Sequence, residues 1–427
     1  MTTPEDILHV MEFRRRYELD AYTDQALNQL NRTISQVERE IVRQWGKVGL
    51  RTEFSQGRAI ALLEELRGVT GAVKATLSHD IAKVAGDVAA RSAADLSRSL
   101  SFNGRAANVT EVMLDPGTMA SYWQKTPVGG HLLREWVDKS FDKHTVDRIK
   151  QEIGAGLLRA ETYDQLADRL KVGFGMTKNE IDTLVRTTVR TAHVDAQKRV
   201  YEQNRDLYTT LRWTASINDR TCLLCASLEG RNYPLEDHPP CPVHPRCRCT
   251  LLANLKSLKE LGLTNRDVEE FAQEEKIVSP THKGYRGRAL ARKGLSMGDW
   301  LRSLPAEQQR QYFGPTRHAL LEAGFIKFTD LVDLDQLRIR TLDELPTPAG
   351  MTTAEAIKAA TAVATIKRAN TPAELEALLQ FEVDAFMEAI AVGTTPEDKK
   401  RRLRAINALR KRLKMPKLTL EMLQNSQ

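Results

Sequence analysis

The sequence lacks any apolar run near the roughly 20 residues that cross a bilayer, which removes membrane-spanning readings. Its first ten residues have neither a basic start nor an apolar centre. No secretory signal is read there, and a cytosolic protein is expected. Aromatics are scarce at 6 %, so densely packed cores are not expected. The common catalytic signatures are missing too. There is no phosphate-cradling glycine loop, no dinucleotide fingerprint, no nucleophile elbow and no His-Glu-x-x-His. A zinc deaminase needs His-x-Glu so that the glutamate can move protons at a metal-bound water. None of the nine histidines begins such a triplet. No internal repeat or long low-complexity tract is visible. Cysteine is absent everywhere except between Trp213 and Leu252.

All five cysteines, Cys222, Cys225, Cys241, Cys247 and Cys249, lie in that one stretch, with His238 and His244 among them. Cys222 and Cys225 form a C-x-x-C pair, and His244 and Cys247 form H-x-x-C. Each pair can turn two soft ligands toward one ion. The separation of the pairs suits two knuckles closing on a tetrahedral Zn²⁺. Gly230, Asn232 and Pro234 break regular structure between them, and Pro239, Pro240, Pro242 and Pro245 stiffen the return. Leu211 to Ile217 and Cys249 to Leu252 read as short strands.

Buried small hydrophobes and a disulfide cluster are the other readings of these cysteines. An odd count and the missing signal argue against disulfides. The expected ligands are Cys222 and Cys225, completed by His244 with Cys247 or Cys249. Cys241 and His238 stand in reserve. A site closed by four protein ligands leaves no open position, so structural zinc is expected and no catalysis.

The same residues carry a resemblance. After Trp213 come Asp219-Arg220-Thr221-Cys222-x-x-Cys225, then Leu228-Glu229-Gly230, then His244-Pro245-Arg246-Cys247-Arg248-Cys249. This order resembles the phage Mu F-like head morphogenesis family, the minor head proteins. The match spans about Thr145 to Leu252, upstream helices included. Two departures stand out. Cys241 is extra, and Thr188 follows Arg186-Thr187 where the family usually has an acidic residue. The resemblance implies a minor capsid protein of a tailed double-stranded DNA bacteriophage, active in virion assembly. Its implied partners are the portal protein and the major capsid or scaffolding protein, with packaged DNA as a further contact. Its implied place is the virion, at the head interior or portal vertex, after assembly in the host cytoplasm. The competing class is an HNH-like nuclease or other DNA-processing enzyme framed by zinc knuckles. It would need a histidine base and a second metal, for which only His238 and Asp237 offer themselves.

The 427 residues allow two to four domains, expected to be mainly α, multi-domain and extended, with a small zinc-knuckle α+β module in the middle. Residues 1–105 read as a helical hairpin or coiled coil. Thr3 caps, Pro4 takes the first helical position, and Leu27, Leu30, Ile34, Val37 and Ile41 form a seam. Leu66, Val69, Val73, Leu77, Ile81, Val84 and Val88 form the facing stripe. Residues 106–130 read as a loop-rich connector, on the turn signals Asn103-Gly104, Asp115-Pro116-Gly117 and Gly129-Gly130.

The resemblance implies that residues 131–255 form a head-morphogenesis domain holding the Cys/His cluster. Val146, Ile149, Ile153 and Leu157 make one stripe. Capping boxes at Thr162 and Thr177 open a short helix stopping near Gly173 and then a long one. The long helix has an apolar face of Ile181, Leu184, Val185, Val189, Ala192, Ala196 and Val200. On another face, Arg186, Arg190 and His193 form a row that either meets an anionic partner or is solvated or paired within the chain. Residues 256–298 are a helix and linker, 299–346 a small module, and 347–427 a helical tail. The tail ends in ten basic residues between Lys399 and Lys417 around a stripe of Leu403, Ile406, Leu409 and Leu413. With a net charge of +7, this end is expected either to dock on an acidic partner or DNA, or to fold its stripe back.

Overall fold

The structure is a computed structural model. It describes residues 3–47, 56–147, 151, 163–216, 218–275, 297–368, parts of 374–386, 396–417 and 419. The chain divides into two compact units. One comprises residues 1–221 and 228–296, the other residues 222–227 and 297–427. As expected, the described chain is mainly helical with a few short strands.

The first unit is built on three long helices. α1 spans Pro4–Lys47, α2 spans Gln56–Ser101 and α5 spans Tyr163–Gln203. α1 begins where local chemistry says it should. The Thr3 amide donates to the Asp6 carboxylate, and the Asp6 amide donates to the Thr3 hydroxyl, both at 3.1 Å. The seam Leu27, Leu30, Ile34, Val37 and Ile41 is buried along its whole length. In the facing stripe Leu77, Ile81 and Val88 are buried, Val69, Val73 and Val84 are half-buried, and Leu66 lies outside the described side chains. The pairing is antiparallel. Arg15 reaches Ser99, while Tyr22, further along α1, reaches Asp87.

The connector is largely irregular, as expected, but it is interrupted by a helix. That helix is α3, Pro116–Lys125, and α4, Leu133–Phe141, follows the connector. Asp115-Pro116-Gly117, read as a turn, is a helix start. The Asp115 carboxylate accepts from the Thr118 amide at 2.7 Å, and Pro116 needs no donor at the first position. α3 buries Met119 and Trp123. It crosses α2 at Gly86, where a Cβ would sit 2.8 Å from the Ala120 amide nitrogen.

The two helices expected around Gly173 are also corrected. α5 is continuous through Gly173 and Gly175. Thr177 is no cap. It is fully buried, its hydroxyl 2.8 Å from that of Thr145 and donating to the Ser140 carbonyl. Burial of this face outweighs the helix cost of two glycines, roughly 1 kcal/mol each. The box at Thr162, most of the stripe from Val146 to Leu157, and the linker at 276–296 lie outside the described residues.

After α5 the first unit forms β1, Tyr208–Thr214, β2, Asn232–Tyr233, and β3, Thr250–Leu255; α6, Leu223–Leu228, falls between β1 and β2 in the chain, and its residues up to Ser227 belong to the second unit. The sheet is antiparallel in the order β2-β1-β3, with Leu211 opposite Tyr233 and Trp213 opposite Leu251. α7, Asn265–Glu274, closes the unit. The helix expected from Ser257 begins only at this Thr264 cap, since Ser257 to Leu263 are turns.

The second unit contains α8, Met297–Ser303, α9, Ala306–Phe313, α10, Pro315–Glu322, the hairpin β4, Val332–Asp333, with β5, Arg338–Ile339, then α11, Thr353–Arg368, and α12, Pro396–Arg412. Trp300, Tyr312, Phe313 and Phe328 stack edge to face through it. The basic tail helix turns its stripe inward. Ile406 and Leu409 are fully buried among Leu375, Leu379, Val383 and Phe386.

Gly86→Ala should destabilise the first unit by about 1–3 kcal/mol, because the added methyl meets backbone. Gly71→Ala, which meets nothing within 4 Å, should stabilise by roughly 0.5–1 kcal/mol. Urea unfolding of the two variants measures both; equal shifts would remove the close α2–α3 crossing.

Candidate metal centre

The two knuckles bring five donors together. Cys222, Cys225 and His244 have ligand atoms within 4.8 Å of one another, and so do Cys225, Cys247 and Cys249. Cys225 belongs to both groups. Cys241 and His238 fall in neither group. None of the five cysteines is in a disulfide.

Each knuckle has the local geometry that thiolate ligands need. In the first, Cys222 immediately precedes α6, and the Cys225 amide donates to Cys222 Sγ at 3.4 Å. In the second, the Cys247 amide closes a turn onto the His244 carbonyl at 3.1 Å, with Arg246 left-handed at φ 60°. The Cys249 amide then donates to Cys247 Sγ at 3.5 Å. Such N–H···S bonds favour the anionic sulfur. The His244 Nδ1–H donates to the Pro245 carbonyl at 2.7 Å. That bond fixes the tautomer and makes Nε2 the coordinating nitrogen, a usual orientation for a metal-bound imidazole. Soft sulfurs with one imidazole are the donor set of a structural zinc site. The residues therefore fit the ion that the spacing suggested.

The strands hold the frame. Trp213 is fully buried, its amide donating to the Arg231 carbonyl at 2.8 Å and its carbonyl accepting from Gly230 at 2.9 Å. Gly230 sits at φ 79°, where a side chain would be strained, which explains the glycine between the knuckles. Glu229 turns back to accept from the Ala215 amide, and burial raises its pKa.

The second knuckle is pinned to α5. The Arg246 amide donates to the Thr187 hydroxyl at 3.1 Å and Nε to the Thr183 hydroxyl at 2.9 Å. Nη2 lies 2.8 Å from Asp182. Further on, the Thr250 hydroxyl donates to Gln197 Oε1 at 2.5 Å, and the Tyr201 hydroxyl donates to the Leu251 carbonyl at 3.3 Å. Arg246 was not among the sequence candidates, although it stands inside the closing motif.

The row Arg186, Arg190 and His193 pairs within the chain. Arg186 bridges Asp182 and Asp24 at 2.9 and 2.8 Å. Arg190 is 4 % exposed. His193 is fully buried, 3.0 Å from the Glu12 carboxylate through Nε2 and 2.8 Å from Ser92 Oγ through Nδ1. Glu12 also accepts from Arg15 at 2.9 Å and from Gln197 at 3.0 Å. Burial alone would raise the Glu12 carboxyl, but His193, Arg15 and Arg16 outweigh it and hold it well below its usual range. Burial lowers His193 to about 4 against the pull of Glu12. At neutral pH the imidazole is thus neutral, donating to Glu12 and accepting from Ser92. Serine, histidine and glutamate in line suggest a nucleophile relay. Ser92 is only 1 % exposed, however, so no substrate reaches it and the relay serves packing.

With this geometry in hand, the class is a helical module closed by a small antiparallel sheet and a thiolate cluster. Residues 147–252, about a quarter of the chain, match the family described as phage Mu protein F like protein. The matched segment contains all five of the expected ligands. No curated protein matches the chain, and no solved structure does.

Because His193 is neutral and buried, the unfolded chain binds its proton first as pH falls. Stability should therefore be present above pH 6.5 and decline toward pH 4. His193→Gln keeps a donor for Glu12 and an acceptor for Ser92. It should flatten this limb relative to wild type in urea titrations at saturating zinc; identical slopes would show that His193 does not titrate there.

Proposed function

We propose that this protein is a minor head protein of a tailed double-stranded DNA phage, built into the head during assembly alongside the portal. Its role is structural and not catalytic. One zinc held by four of Cys222, Cys225, His244, Cys247 and Cys249 braces the knuckles. The observation that carries this reading is the coincidence of the matched family segment with a built thiolate cluster. Zinc supplies folding energy to a proline-rich stretch too short to form its own core. The brace then presents the loop from Leu228 to Pro240 to a partner without a large apolar interface. Within the second unit, the exposed Arg404, Lys411, Lys414 and Lys417 of the tail suit contact with packaged DNA.

Mass spectrometry of purified particles tests the head assignment. Wild-type particles should contain the protein in low copy. Cys222→Ser with Cys225→Ser should abolish incorporation while leaving the α1–α2 hairpin folded. The purified wild-type chain should carry about one zinc, lost to chelators with melting of residues 213–252. Protein confined to the host's soluble fraction would end the head reading. Turnover of plasmid DNA by the purified chain would put the nuclease class in its place.

A further inference from the structure

The register of α5 against the second knuckle places a buried arginine opposite the sulfurs. Arg246 sits on Thr187, Thr250 on Gln197 and Leu251 on Tyr201. The chain from 246 to 251 therefore runs along α5 in the same direction, and Cys247 and Cys249 lie over the turns between Thr187 and Gln197. Both cysteines are buried. Arg190 is the cation in that interval, since His193 is neutral.

Arg190 is poorly compensated where it lies. Its Nη1 is buried with no hydrogen-bond partner among the described residues. Its Nη2 is 3.9 Å from the half-exposed Asp20, beyond hydrogen-bond reach. Close by, Arg15 and Arg16 are also buried, as is Glu12. Glu12 pairs with Arg15 and Arg16, which leaves Arg190 with no buried carboxylate at ion-pair distance among the described residues. Leaving a buried cation without an anion is costly. A divalent zinc with three thiolates and an imidazole is a net anion, and with four thiolates more so.

We propose that the Arg190 guanidinium is the buried counter-cation of the metal-loaded thiolate centre, acting by charge across the contact between α5 and the second knuckle. This rests on the zinc reading above. Arg190 is a positioning residue that makes no bond to the ion. Cys247 also acts on Arg190, opposing the loss of charge that burial imposes.

The test is zinc affinity of the purified full chain, by competition with a chromophoric chelator, together with melting temperatures with and without zinc. Arg190→Gln should weaken zinc binding roughly 10- to 100-fold. It should shrink the rise in melting temperature that zinc produces, while the metal-free variant melts no lower than metal-free wild type. Arg190→Lys keeps the charge and should retain most of the affinity. A glutamine variant that binds zinc as tightly as wild type would overturn the proposal. So would equal losses of melting temperature with and without zinc, since these describe packing alone. If Arg190→Gln does not fold, Asp20→Asn decides. Removing the competing anion should enlarge the zinc-induced rise, and an unchanged or smaller rise overturns the proposal. A wild-type chain that binds no zinc removes the metal reading itself, an outcome distinct from an unaffected Arg190 variant.

Discussion

Three helices and two strands of the first unit meet, directly or through one side chain, on the buried carboxylate of Glu12. On its own helix it holds Arg15 and Arg16. Across the core it accepts from His193 and Gln197 of α5, and through them it reaches Ser92 of α2 and Thr250 of β3. Arg16 carries the network on to the Thr214 carbonyl of β1. A buried charge of this kind contributes little net stability against an apolar replacement, yet losing one partner costs about 3–5 kcal/mol. Its value lies in discrimination. Leu and Val stripes permit α1 to slide or rotate against α2 and α5, whereas one carboxylate with several fixed donors permits one register. That carboxylate comes from α1, while its donors His193 and Gln197 lie on α5, far along the chain.

That register is also what makes the metal centre possible. The second knuckle has almost no secondary structure of its own, and it is placed by hydrogen bonds from Arg246 and Thr250 onto α5. Those bonds need Thr183, Thr187 and Gln197 at fixed heights, which the Glu12 network supplies. These bonds hold Cys247 and Cys249 against α5, so that zinc has less of the second knuckle to order than in a free loop. Proline contributes in the same sense, since Pro239, Pro240, Pro242 and Pro245 reduce the freedom of the unfolded return.

Legibility followed the range of each interaction. The Thr3–Asp6 cap, the Leu27–Ile41 seam, the buried face of α5 and both flanking strands depend on neighbours within a few residues, and all are found. Asp115-Pro116-Gly117 was misread because an aspartate before a proline serves a turn and a helix start equally well. Only the burial of Trp123 against α2 decides between them. Gly173 and Thr177 look like a stop and a cap, but tertiary burial of Thr177 and Phe174 overrides both signals. The Arg186–Arg190–His193 row could not be resolved from spacing, because its partners Asp24, Asp20 and Glu12 are set by the fold. Arg246 was visible inside a motif, yet nothing local shows that its side chain reaches a helix rather than solvent.

The basic tail shows how burial narrows what a helix can do. Leu403, Ile406, Leu409 and Leu413 on one face of a cationic helix would suit insertion into an apolar groove or a lipid interface. In the second unit that face is already occupied, with Ile406 and Leu409 fully buried by Leu375 and Phe386 and their neighbours. An apolar partner would first have to strip this cover, losing about 1.5–3 kcal/mol for each large side chain uncovered. The charges need no such rearrangement. Arg404, Lys411, Lys414 and Lys417 remain exposed while the stripe stays packed. A partner met by this helix as it is folded is therefore recognised by charge, and the strength of that contact is set by ionic strength more than by shape.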